Sequence, residues 1–302
     1  MQAFCAVVDW GTSSFRLWLI DSQGQVLAGR RSNEGMAHCA AHGFAPVLEA
    51  HLAALGACAD LPVMICGMAG ARQGWAEAAY LDTPARLSAL AQSGVAVASA
   101  SRPVRILPGI AQRDAATADV MRGEETQLLG AFGDRNGRTV ACMPGTHSKW
   151  VEIDDGAVLR FTSAMTGEIY AALRHHTILG MSVPPGDEAH DGEAFAHGVQ
   201  SALARPESLV SLLFGVRGRE ILGFAPPQAA PSAISGLLIG SEIAHAKSAG
   251  YVERRIELFA AGVLGARYEE AFALAGIEYG VVDAEAAVIA GLCAAARAWL
   301  AA

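Results

Sequence analysis

The sequence predicts an α/β fold made of a duplicated domain with a cleft between the halves. Three observations predict it: the chain repeats itself weakly, each copy has the same strand and turn grammar, and a helical pattern follows each copy. Residues 7–35, VVDWGTSSFRLWLIDSQGQVLAGRRSNEG, align with residues 141–167, ACMPGTHSKWVEIDDGAVLRFTSAMTG. Gly11-Thr12 matches Gly145-Thr146, Ile20-Asp21 matches Ile153-Asp154, and Val26-Leu27 matches Val158-Leu159, so the offset slides from 134 to 133 to 132 and two single-residue deletions account for it.

In each copy an apolar strand enters a Gly-Thr turn, a second strand follows, and an Asp/Gly turn leads to a third. Helical spacing appears next, over Pro46 to Leu55 after the first copy and Glu168 to Leu173 after the second. Between the copies VMRGEETQLLGAFGD reads as a helix from about Met121. Ser232 to Ala249 reads as a helix rich in small residues, and Ala284 to Leu300 as another, with Val288, Leu292 and Ala295 along one face. Small residues in these two helices allow close contact. The expected domains are residues 1–118, with a C-terminal helix at about 286–302 packing back on them, and residues 119–285. Ligands favour the interface between such halves.

Composition narrows the function. The chain has 302 residues, 52% of them hydrophobic, with 33 glycines and a net charge of -8, which is ample for a large core and carries no basic footprint for nucleic acid. Phosphate binding would need a local positive charge. Six cysteines, Cys5, Cys39, Cys58, Cys66, Cys142 and Cys293, form no CxxC pair and read as reduced thiols. Asp9 breaks the first apolar run, and no uncharged apolar stretch approaches about 18 residues without proline, so neither a signal peptide nor a membrane span is expected and cytoplasm is the default.

Four stretches carry candidate chemistry. In Asp9-Trp10-Gly11-Thr12-Ser13-Ser14 a carboxylate ends a buried strand ahead of a glycine turn with hydroxyls. Backbone N–H groups of Gly11, Thr12 and Ser13 suit phosphate oxygens, and Asp9 suits Mg²⁺ held through water. A plain hairpin, with Asp9 and Thr12 satisfying backbone groups, is the alternative. Pro144-Gly145-Thr146-His147-Ser148-Lys149 is the partner turn, where Gly145, Thr146 and Ser148 suit phosphate and Lys149 adds charge unless strand alternation turns it away. His147 fits either a ligand or a hydrogen-bonded turn residue. Arg122-Gly123-Glu124-Glu125-Thr126-Gln127 opens a helix about 20 residues before the second turn. Its carboxylates suit either the positive helix end or a general base taking a proton from a hydroxyl that attacks phosphorus. Finally, LFAAGVLG runs from strand through Gly262 and Gly265 into the helix ARYEEAF, a surface against which adenine could pack.

These stretches stand in the order found in the sugar kinase/hsp70/actin superfamily. Residues 9–14 resemble its first phosphate loop, 145–148 its second, 261–265 its adenosine loop, and 122–132 and 232–249 its connecting helices. More closely, VVDWGTSSFRLWL, VMRGEETQLLGAF, MPGTHSKWV, MTGE and SGLLIGSEIA together resemble the 2-dehydro-3-deoxygalactonokinase family, over nearly the whole chain. The resemblance implies duplicated actin/hexokinase-like (ribonuclease H-like) domains, sugar-binding in the first and nucleotide-binding in the second. It also implies ATP and Mg²⁺, and transfer of phosphate to the 6-hydroxyl of 2-dehydro-3-deoxy-D-galactonate in D-galactonate degradation. One departure stands out: many superfamily members carry an acidic residue entering the second loop, where this chain has Met143-Pro144, so metal binding leans on Asp9.

The expected partner is therefore a small keto-deoxy sugar acid, without nucleic acid or membrane, and a homo-oligomer is compatible with the sequence. Glu125 or Glu124 is the expected base, and Arg16, Arg72 or Arg122 the cation for the substrate carboxylate. Glu125 is favoured because it directly precedes Thr126, as the superfamily's aspartate often precedes a small residue. Two alternatives remain: another small-molecule kinase acting on a related acid, and an ATP-binding regulator without transfer chemistry, which would have no use for the carboxylate pair.

Overall fold

A computed structural model describes residues 3–182 and 190–301. Two compact units form, one of Met1–Arg138, Ile153–Arg160 and Asp283–Ala302, the other of Thr139–Glu152 and Phe161–Val282.

In chain order the first unit opens with β1 (Cys5–Trp10), β2 (Phe15–Ile20), β3 (Val26–Ser32), α1 (Met36–His42), α2 (Phe44–Ala54) and β4 (Val63–Gly67). Short strands follow: β5 (Leu81–Asp82), β6 (Ala85–Arg86), β7 (Val95–Ala96), β8 (Val104–Ile106), β9 (Ile110–Gln112) and β10 (Asp119–Met121), leading into α3 (Glu124–Phe132). Then come β11 (Arg138–Met143), β12 (Ser148–Asp154), β13 (Ala157–Ala164), α4 (Thr166–His176), α5 (Gly192–Ala204), α6 (Leu209–Ile221), α7 (Ala230–Ser248), β14 (Ile256–Ala260), α8 (Gly262–Ala275), β15 (Tyr279–Asp283) and α9 (Ala284–Leu300).

Strand periodicity explains the first unit's sheet, β3-β2-β1-β4-β8-β7. Ala6, Val8 and Trp10 of β1, Phe15 and Leu17 of β2, and Val63 and Ile65 of β4 enter one core, which α2 covers with Phe44, Val47, Leu48 and Leu52 at helical spacing. The alternate residues Cys5, Val7, Trp18, Met64 and Cys66 enter a second core, covered by Val288, Leu292 and Ala295 of α9. A sheet buried on both faces needs the continuous apolar runs that β1 and β4 show. Helix α3 crosses α9 where both carry glycine. A Cβ on Gly130 would lie 2.0 Å from the Ala287 carbonyl, and one on Gly291 1.9 Å from that of Thr126.

The second unit repeats the arrangement. Its strands lie in the order β15-β14-β11-β12-β13, matching β8-β4-β1-β2-β3, and β11 pairs with β14 in parallel as β1 does with β4. Its core joins Val140, Cys142 and Trp150 with Ile239, Ile243, Tyr268 and Phe272. The sequence repeat is therefore a repeat of topology. The expected helices at 46–55, 168–173, 232–249 and 284–300 form as α2, α4, α7 and α9, each within a few residues. The helix expected from about Met121 begins later, at Glu124. Asp119–Met121 pairs as a strand with β9, and Gly123 sits at φ 109°, a left-handed conformation that ends the strand and cannot belong to a helix.

All six cysteines are free, and all are buried except Cys58. Among the described residues no helix is long and apolar enough to cross a membrane.

Candidate functional site

The first unit gathers carboxylates at the ends of two parallel strands. Asp9 near the end of β1 stands in register with Cys66 of β4, and Trp10 with Gly67. Helix α3 starts at that end: a Cβ on Gly123 would sit 3.6 Å from the Gly67 Cα. Glu125, on the first turn of α3, and Asp9 both act on the Cys66 thiol. Burial first, then these two carboxylates, push that thiol well above its ordinary range.

Glu125 is fully buried. Its Oε2 accepts the Gly123 N–H at 2.6 Å and its Oε1 the Thr126 hydroxyl at 3.0 Å. Burial, followed by the neighbouring Glu124 charge, raises its pKa to about 8 against the pull of those hydrogen bonds. Glu124 is half-buried, and its Oε2 accepts the Arg122 N–H at 3.0 Å. The two carboxylates thus accept neighbouring backbone N–H groups and differ in burial.

Asp9 pairs with Arg16, its cross-strand partner on β2. Arg16 is thus engaged with the carboxylate and lies over Trp18. Arg122 lies over the Tyr80 ring at 4.3 Å and donates from Nη2 to the Ala78 carbonyl at 2.8 Å. Its Nε and Nη1 are buried with no hydrogen-bond partner among the described residues. Arg72 is exposed on the turn after β4, outside this hydrogen-bonded group.

The first turn is held from its carbonyl side. Gly11 and Thr12 carbonyls accept the Met36 and Ala37 N–H groups at 2.9 and 3.0 Å, and Gly11 N–H bonds the Ser14 carbonyl at 2.9 Å. The side chains of Thr12, Ser13 and Ser14 are exposed.

In the second unit a cavity of about 530 Å³ opens beside the partner turn, with Gly145, Gly167, Tyr170, Ser232, Leu264 and Arg267 among its lining. Of residues 145–149 only Gly145 lines it. Thr146 and His147 are exposed, and His147 bonds Glu168 at 2.6 Å, the hydrogen-bonded turn histidine rather than a free ligand. Ser148, expected to face phosphate, is instead buried, and Lys149 is buried too, the outcome that strand alternation left open for it. Ser148 Oγ meets the Tyr268 hydroxyl at 2.7 Å, and Lys149 Nζ donates to the His147 carbonyl at 3.2 Å. Strand β12 starts at Ser148 and is buried on both faces, so the two side chains, which point to opposite faces, are both covered. Gly262, at φ 57°, opens α8 ahead of the cavity residues Val263 and Leu264. Gly265 is buried against Ala260, letting α8 lie close on β14, and does not line the cavity.

Sequence reasoning missed Tyr170 and Arg267 in the cavity wall, and a buried carboxylate, Glu242 of α7, beneath it. Its signal was present: Glu242 is the one charge within the apolar helix stretch SGLLIGSEIA. Among the described residues no group of three or more His, Cys, Asp or Glu could hold a metal ion. A single carboxylate at Asp9, with water and phosphate completing the shell, still fits Mg²⁺, which keeps its waters.

The chain was compared with known proteins. A family model described as 2-keto-3-deoxy-galactonokinase matches residues 9–295. A Rhizobium meliloti (strain 1021) protein provisionally named 2-dehydro-3-deoxygalactonokinase DgoK1 is 48% identical over 98% of this chain and 97% of its own. The 2-dehydro-3-deoxygalactonokinase of Escherichia coli (strain K12) is 34% identical over 99% of each. A crystal structure of a Sinorhizobium meliloti protein, provisionally given the same activity, superposes with a TM-score of 0.93 at 48% identity, over 98% of this chain and 99% of that one. The activator of 2-hydroxyisocaproyl-CoA dehydratase from Clostridium difficile, solved with ADPNP, gives 0.50 at 12% identity over 98% and 94%, a likeness of fold alone.

Proposed function

Because this chain belongs to the 2-keto-3-deoxy-galactonokinase family, we propose that it transfers the γ-phosphoryl group of ATP to the 6-hydroxyl of 2-dehydro-3-deoxy-D-galactonate. The observation that supports the mechanism is that Asp9 on β1 and Glu125 on α3 both act on the thiol of Cys66, the residue of β4 in register with Asp9. The division of labour follows the two units: the first handles the sugar acid and the metal, the second the nucleotide.

Phosphoryl transfer asks a protein mostly for position and charge. Glu125 accepts the proton of the 6-hydroxyl as its oxygen bonds phosphorus and the bond to the β-phosphate oxygen breaks, leaving ADP. A carboxyl titrating at about 8 is poised for that exchange near neutral pH. Glu124 is the second choice. Asp9 would hold Mg²⁺, which neutralises phosphate charge when bound. Backbone N–H groups of Thr12 and Ser13 and of Gly145 and Thr146 serve the phosphate chain, the Gly11 N–H being already taken by the Ser14 carbonyl, and the cavity beside Gly262 takes the adenosine. Arg122, with two buried N–H positions unpaired, is the favoured partner of the substrate carboxylate, ahead of Arg16, which Asp9 already engages, and Arg72.

The test is a kinase assay with ATP and Mg²⁺ across keto-deoxy sugar acids and a neutral deoxy sugar of the same length. The galactonate-derived acid should give the highest kcat/KM. Equal efficiency on the neutral sugar overturns the anionic-substrate reading, and equal efficiency on the gluconate-derived epimer overturns the stereochemical preference.

A further inference from the structure

Glu242 is 5% exposed in the middle of α7 and does not line the cavity. An unpaired buried carboxylate is costly, so its surroundings must supply hydrogen bonds. They do: Trp150 Nε1 donates to its Oε1 at 2.8 Å, and the Tyr268 hydroxyl, at 2.7 Å, and the Thr166 hydroxyl both donate to its Oε2. Since Tyr268 spends its only proton on Glu242, its oxygen accepts the proton of Ser148 Oγ at 2.7 Å. Every donor in this group points, directly or through Tyr268, at one carboxylate.

The donors are the pieces that frame the second turn. Ser148 is the residue at which the turn becomes β12, and Trp150 follows on that strand. Thr166 begins α4, and the next residues brace the turn: the Glu168 N–H bonds the Thr146 carbonyl at 3.0 Å, and a Cβ on Gly167 would lie 2.5 Å from the Gly145 carbonyl. Thr166 and Tyr268 themselves line the cavity. We propose that Glu242 is a positioning residue for nucleotide binding, fixing the 144–148 turn, the start of α4 and the inner face of α8 around one buried acceptor. It acts through Ser148, Thr166 and Tyr268. The inference rests on the reading of this cavity as the nucleotide site.

A glutamine at 242 keeps the shape but offers one acceptor oxygen, and it turns N–H groups toward hydroxyls that must donate. The experiment titrates ADP into the folded proteins by calorimetry and measures the KM of ATP, the KM of the sugar acid and the melting temperature. Glu242→Gln should raise the ADP Kd and the ATP KM together by about ten-fold, with the sugar-acid KM kept within about two-fold. A purely packing role would lower the melting temperature and leave the Kd of the folded protein in place, and that outcome overturns the inference alone. Failure of the wild-type chain to bind ADP overturns the nucleotide reading of the cavity and this inference with it. Where Glu242→Gln does not fold, Ser148→Ala decides. Ser148 is fully buried and does not line the cavity, so its hydroxyl joins the turn to Glu242 through Tyr268 without facing the nucleotide. A weakened ADP affinity supports the inference, and an unchanged one overturns it.

Discussion

Glu125 ties stability and activity to the same proton. Its pKa in the fold is about 8 against an ordinary 4.5, so the native chain holds a proton that the unfolded chain has released between those values. The stability from that proton is fully present below about 4.5 and is lost as pH rises through about 8, with a slope of at most about 1.4 kcal/mol per pH unit. Glu125→Gln should remove this slope, so melting curves of both proteins from pH 5 to 9 should draw apart as pH rises, the wild-type chain losing stability that the variant keeps. Activity runs the other way, because a base works ionised: kcat/KM should climb toward about pH 8 and level off. Glu125→Gln should cut kcat by about 10² to 10⁴ with ATP affinity largely kept. If Glu124→Gln alone is inactive, the base is Glu124. Asp9→Asn should retain the fold and lose most turnover, and near-normal rates at saturating Mg²⁺ would remove Asp9 from the mechanism. Arg122→Lys keeps the charge but not the fork, so the sugar-acid KM should rise about ten-fold with the ATP KM unmoved. The acidic pair was legible as residues in a first helical turn. Which of them is buried was not, because that depends on where α3 starts, and Gly123 moved the start three residues past the expected Met121.

Elements were read best where local pattern and packing agree. The small residues of the C-terminal helix announced a close contact, and α9 makes one against α3. There Gly130 and Gly291 each face a backbone carbonyl at 2.0 Å or less from any added Cβ. Backbone cannot yield as a flexible side chain can, so Gly291→Ala should destabilise by about 2 kcal/mol or more in chemical denaturation. An unchanged midpoint would mean that the helices separate freely. Since α3 carries the acidic pair, the same variant should also lower kcat. Ser148 and Lys149 show the opposite case: a glycine turn marks itself in sequence, but the residue at which its strand begins does not, and a strand covered on both faces buries two consecutive side chains alike.

The molecule as a whole was legible through its repeat, because two copies of one meander fold into two sheets of matching order. The cavity was less legible, since its wall is drawn from residues 145, 166–174, 190, 231–239 and 263–268, which only the fold of the second unit brings together. ADP at about a hundred times its Kd should stabilise the chain by about 2.7 kcal/mol, seen as a melting-temperature rise of roughly 5 °C, and Asp9→Asn should keep that rise. The scattered thiols supply a finer instrument. Cys58 alone is exposed to a maleimide in the native chain, while Cys66 is buried under the influence of Asp9 and Glu125 and Cys142 lies in the core of the second unit. Mass spectrometry of timed labelling thus gives each unit its own clock: Cys66 keeps time for the carboxylate pair, Cys142 for the nucleotide side, and Cys58 marks zero. ADP should slow the clock at Cys142.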